Sequence, residues 1–179
     1  MMNNSMKLYL MSVICLLCIF PTMTYAIFPS QEEEKESVTT ILNDRMNEQL
    51  AELRQVPKLY VESFTDERGY MGIRVTFDQS YLIGGGFLVF NRTAKTPMRN
   101  LASSLGGFAG TDVIIRGYAK NSELSQGWAR SLKNYFISDA NVNAQRIATE
   151  SYVGVPGRLE VTIRVGRRMI QDAQNGVID

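Results

Sequence analysis

The 179 residues include no histidine and only two cysteines, Cys15 and Cys18. Without histidine there is no imidazole base for a hydrolase triad and no imidazole ligand for zinc or haem. Both cysteines lie in an apolar N-terminal run, and a chain that has lost that run has no thiolate nucleophile or thiolate ligand either. The chemistry left is that of carboxylate pairs, Ser-Lys arrangements and tyrosine. A glycan hydrolase needs two carboxylates facing each other across a cleft. Glu123, Asp139, Glu150 and Glu160 fall on separate segments, with no spacing that pairs them. Gly84-Gly85-Gly86 is followed by Phe87-Leu88-Val89-Phe90 rather than by a helix start with Lys-Ser/Thr, so it reads as a loop or bulge and not as a phosphate cradle. Glu32-Glu33-Glu34 reads as the acidic start of a helix before it reads as a cation site. Arg116, Lys120 and Arg158 have the charge to recognise an anionic group, though strand-end charges are the simpler reading. The expectation is no enzyme, no catalytic residue, no metal and no cofactor.

The N-terminus points to export. Met6-Lys7 precedes an apolar run from Leu8 to Phe20, followed by Pro21, Thr22 and Thr24-Tyr25-Ala26. The run is inside the ~7–15 residues of a signal core and short of the ~20 needed to span a bilayer. Cleavage is expected after Ala26, making residues 1–26 a signal peptide. Ile14 and Leu17 precede the cysteines where lipoprotein processing wants a small residue, so lipidation at Cys15 or Cys18 is the minor alternative. Loss of Lys7 turns 19 Lys+Arg against 18 Asp+Glu into 18 of each. That balance gives no sign of a nucleic-acid partner.

The elements that must position any site follow in order. Residues 27–56 read as a helical or linker segment with a narrow stripe of Ile41, Leu42, Met46, Leu50 and Leu53, able to dock on the domain, on a partner or on itself. Leu59, Val61 and Ser63, then Ile73, Val75 and Phe77, alternate as two strands joined by a turn at Asp66 to Gly69. Thr96 as N-cap, Pro97 at the first helical position, the stripe Met98, Leu101, Ala102, Leu105, and Gly106-Gly107 as stop define a helix. Val113-Ile114-Ile115 is a central strand ending at Gly117. Asn121 or Ser122 caps a second helix, striped by Leu124, Trp128, Leu132, Tyr135 and Phe136 and ending near Ser138-Asp139. Leu159, Val161, Ile163 and Val165 alternate with Arg158, Glu160, Thr162 and Arg164 as a half-buried strand with one wet face. Residues 166–179 have little apolar content and are expected to fray as a flexible tail. The predicted class is α+β: a two-layer sandwich with a β-α-β-α-β core, an added N-terminal hairpin, and helices on one face of a mixed sheet.

From about Ile73 to Val165 the chain resembles the OmpA-like C-terminal domain, whose better-known members bind peptidoglycan in the periplasm. Gly72-Ile73-Arg74-Val75-Thr76-Phe77-Asp78 is similar to that family's first strand, and Val113-Ile114-Ile115-Arg116-Gly117-Tyr118 to its central strand. Asn121, Leu124, Ser125 and Ala129 match four positions of its loop-to-helix signature. Val142 to Ile147 resembles the turn into the third strand, Gly154 and Pro156 its Gly…Pro stretch, and Arg158-Leu159-Glu160-Val161 its last strand. The resemblance implies an OmpA-like domain over residues 57–165 and a ligand pocket at Lys120, Asn121, Ser125, Trp128 and Arg158. The family grips the diaminopimelate of the peptide stem with an aspartate after the central strand and the signature arginine. Lys120 and Trp128 stand in those two places here. Two lost charge-assisted bonds, each worth ~1.5–3 kcal/mol, would weaken that grip by orders of magnitude.

Trp128 reads either as a core residue on its stripe or, at an exposed position, as an interface anchor or a stacking platform. The expected function is that of a non-enzymatic periplasmic protein, in some association with the outer membrane, serving as a docking subunit of an envelope-spanning secretion complex. Its expected partners are other envelope or secretion-complex proteins, and no transmembrane span follows Ala26. The alternative is a peptidoglycan-binding anchor with an altered pocket, marked by an open polar groove beside Gly117 to Ser125.

Overall fold

The computed structural model describes residues 31–57, 59–78, 82–83, 89–90, 94–153 and 157–177. The expected signal peptide, the Gly84-Gly85-Gly86 segment and the Gly154…Pro156 stretch lie outside them. The chain forms two units, Met1–Ser37 and Val38–Asp179. Of the first, residues 31–37 are described, as the opening turns of helix α1 (Gln31–Arg54).

Within the second unit, α1 docks on the domain. Val38, Leu42, Met46, Leu50 and Leu53 recur every three or four residues, and all enter the hydrophobic core. Two polar contacts fix the helix. The Met71 amide donates to Asn43 Oδ1 at 2.8 Å, and Gln49 Nε2 donates to Ser104 Oγ at 3.3 Å.

Strands β1 (Tyr60–Thr65) and β2 (Met71–Asp78) form the expected antiparallel hairpin, with Val61 opposite Val75. Its turn is closed by the Asp66 amide donating to the Tyr70 carbonyl at 2.8 Å, and Gly69 supplies a φ of 86°, open to glycine without a Cβ penalty. A two-residue pair, β3 (Leu82–Ile83) and β4 (Val89–Phe90), makes a separate small sheet. Helix α2 (Lys95–Gly107) begins two residues earlier than expected. Ala94 is its N-cap, without a side-chain cap, and Pro97 falls at the third helical position, where its missing N–H still costs no helical bond.

Strand β5 (Thr111–Ala119) continues two residues past Gly117, which lies inside the strand instead of ending it. Helix α3 (Ser122–Ala140) is capped by Asn121 and closed by Asn141 in the left-handed conformation at φ 53°. A short 3-10 turn, Ala144–Arg146, leads into β6 (Ile147–Val153), and β7 (Arg158–Val165) follows. The main sheet runs β1-β2-β7-β5-β6, parallel only between β5 and β6. One core cluster joins Ile73, Val75 and Phe77, Val113 and Ile115, and Leu159 to Val165 with the helices, so the helices cover a single face of a mixed sheet.

Two further expectations are corrected. The segment expected to fray forms helix α4 (Arg167–Gln174), because Met169 and Ala173, four residues apart, reach the core together. The polar face of β7 is not wet: Glu160 is only 7 % exposed and Thr162 is fully buried. Arginines from the neighbouring strands cover both, through contacts described next.

Candidate functional site

The resemblance places the ligand pocket where β5 hands over to α3. Lys120 follows the strand directly and is exposed. Asn121, in an extended conformation, uses its Oδ1 to accept from the Leu124 amide at 2.8 Å, and its carbonyl accepts from the Ser125 amide at 3.2 Å. Ser125 is buried and its hydroxyl donates to the Ser122 carbonyl at 3.0 Å. Asn121 and Ser125 are therefore engaged in starting the helix, a structural use of the polar atoms that a ligand would need.

Gly117 lies against the Ser125 backbone so closely that a Cβ there would collide with the Ser125 carbonyl. At Gly117, β5 and the first turn of α3 are thus in direct backbone contact. Trp128 is 4 % exposed and sits in the core with Ala129, Leu132 and Phe136, which favours the core reading over an interface anchor. Its Nε1 is buried with no partner among the described residues. Arg158 points to the opposite side of the sheet. Its guanidinium lies 4.2 Å from the centroid of Tyr118, and Tyr118 stacks on Tyr152 at 5.0 Å and 15°. The structure brings Lys120, Asn121 and Ser125 to one junction, sends Trp128 inward and leaves Arg158 on the open sheet face.

That open face carries a network that the linear sequence does not display. Arg116 Nε bonds Glu150 at 2.6 Å, and Arg116 Nη1 bonds Glu160 at 2.9 Å and donates to Thr162 Oγ1 at 2.8 Å. Arg74 adds a contact to Glu160 at 3.5 Å and to Glu62 at 3.9 Å. Burial alone would lower the Arg116 pKa, but the bonds to Glu150 and Glu160 outweigh it and raise it. The same Arg116 bond is the main cause that holds Glu150 below the usual carboxylate range. Arg116 is consequently neutralised and does not join Lys120 and Arg158 in an anion site.

Glu150 and Glu160, unrelated in sequence, do meet on Arg116. Arg116 pairs with both and holds Glu150 down, the opposite of the raised pKa that the general acid of a glycoside hydrolase needs. Among the described residues no group of three His, Cys, Asp or Glu side chains could hold a metal ion. No described helix is long and apolar enough to cross a membrane.

No protein-family model matches the chain, and no curated protein sequence does. Solved structures do match. A putative MotB-like protein from Desulfovibrio vulgaris superposes with a TM-score of 0.58 at 14 % identity, covering 74 % of this chain and 98 % of that one. The cell wall anchor of the T6SS from Pseudomonas aeruginosa superposes with a TM-score of 0.52 at 16 % identity, covering 69 % and 99 %. At such identities the likeness is one of fold, and the fold is the OmpA-like α+β sandwich that the sequence motifs imply.

Proposed function

We propose that this chain is a non-enzymatic structural protein of the cell envelope, in which an OmpA-like module has given up the peptidoglycan grip and serves as a docking subunit of an envelope-spanning complex. The observation that carries this reading is the fate of the two positions at which the resemblance places the gripping charges. One holds the exposed Lys120, whose charge would repel the ligand ammonium that an aspartate attracts. The other holds Trp128, which is buried in the core and donates to nothing among the described residues. Asn121 and Ser125 are bound up in the helix start, and Gly117 is pressed against Ser125, so the polar side-chain atoms that the resemblance assigns to the pocket are already used by the protein itself.

Similarity in fold to a cell wall anchor of a secretion system and to a MotB-like protein supports placement in the envelope. Periplasmic location and the cleaved leader at Ala26 belong to the same proposal.

A soluble diaminopimelate-containing stem peptide, titrated into the chain in a calorimeter, tests the loss of the grip. The reading predicts no saturable heat, and saturable binding would restore the wall-anchor alternative. Mild detergent extraction from cells that make the protein tests the docking role. Elution within a high-mass assembly is expected, and elution as a free monomer would contradict it.

A further inference from the structure

The sheet ends at β6, whose one hydrogen-bonded neighbour among the described strands is β5. An edge strand presents, at every second residue, an N–H and a C=O available to another strand. At the start of β6 the edge is closed, because Lys133 Nζ donates to the Ile147 carbonyl at 2.7 Å. From Ala148 onward no such cover appears among the described residues: Tyr152 is 44 % and Val153 58 % exposed. Alongside runs a groove of about 230 Å³ between this edge and α3, lined by Gln126, Ala129, Arg130, Thr149, Glu150 and Ser151.

The charge of that groove selects its occupant. Glu150 is its one carboxylate and is committed to Arg116. Arg130 is exposed and makes no ion pair among the described residues, and Lys133 stands one turn further along the same helix. The uncompensated charge is positive. We infer that the β6 edge accepts an extended acidic segment of a partner protein as a sixth strand, with a carboxylate on its helix-side face meeting Arg130. A second copy of this chain fits less well, since pairing β6 with β6 would bring two positive grooves together.

This deepens the docking reading, yet it is tested with no cell wall present, so either can fail alone. The full chain, labelled with nitrogen-15, is titrated with a synthetic ten-residue peptide alternating Val with Glu, and separately with its Val-Lys counterpart. The expected result is amide shift changes and exchange protection centred on residues 148–153, with the Glu peptide binding at least about tenfold tighter. Arg130→Glu, at an exposed position that leaves the core intact, should reverse that preference. Binding by neither peptide, binding without charge preference, or shifts centred elsewhere would overturn the inference. Protection of 148–153 that rises with protein concentration in the absence of peptide would overturn it in favour of a second copy.

Discussion

The backbone carbonyl of Ser125 lies directly over Gly117, closer than any side chain at that position could tolerate. This contact joins the central strand to the first turn of α3. Gly117→Ala should destabilise the chain by ~1–3 kcal/mol, because the obstacle is backbone and cannot rotate aside. Urea denaturation would show a lower midpoint with an unchanged slope.

Trp128 is the single tryptophan in the chain, so its fluorescence reports one position. Burial at 4 % exposure predicts blue-shifted emission and weak quenching by acrylamide in the native state. Trp128→Arg, which restores the residue type that the resemblance implies, should cost ~3–5 kcal/mol by emptying and charging a core site. Unfolding would be followed by circular dichroism.

Arg116 compensates two carboxylates, of which Glu160 is nearly inaccessible. Arg116→Ala leaves Glu160 without its closest cation and should cost ~3–5 kcal/mol. Combining Arg116→Met with Glu160→Leu should cost much less than the single alanine change, as a thermal melt of both variants would show.

Acid sensitivity follows from Asp66. Burial would raise its pKa, but bonds from the Arg68 side chain and from the Tyr70 and Arg68 amides outweigh it and lower the value below 3.8. Arg68 Nη2 also donates to the Val165 carbonyl at 2.7 Å, so the turn between β1 and β2 is tied to the end of β7. A depressed carboxylate contributes stability above its unfolded pKa and loses it as pH falls through the folded one. Glu150, lowered chiefly by Arg116, acts with the same sign. Stability should therefore decline below about pH 4, and Asp66→Asn should flatten that decline while costing ~1–3 kcal/mol at neutral pH. Denaturant melts across pH 3 to 7 would check both.

What could be read along the chain was what depends on near neighbours. The hairpin, the Asn121 cap and the stripe of α3 need only residues a few positions apart. The dry face of β7 was missed because Glu160 and Thr162 look polar in isolation, and their cover comes from Arg116 and Arg74 on two other strands. Helix α4 was missed because two residues, Met169 and Ala173, anchor it to a core built elsewhere. Of the expected pocket, the substitutions Lys120 and Trp128 were visible at once. That Arg158 would lie over Tyr118 required the register of β7 against β5.

The central claim is the loss of the cell-wall grip, and sedimentation with intact peptidoglycan sacculi tests it most directly, with an ordinary OmpA-like domain as positive control. The account predicts that the protein stays in the supernatant while the control pellets. Co-sedimentation that soluble diaminopimelate peptide abolishes would contradict it and make this chain a wall anchor with an altered site.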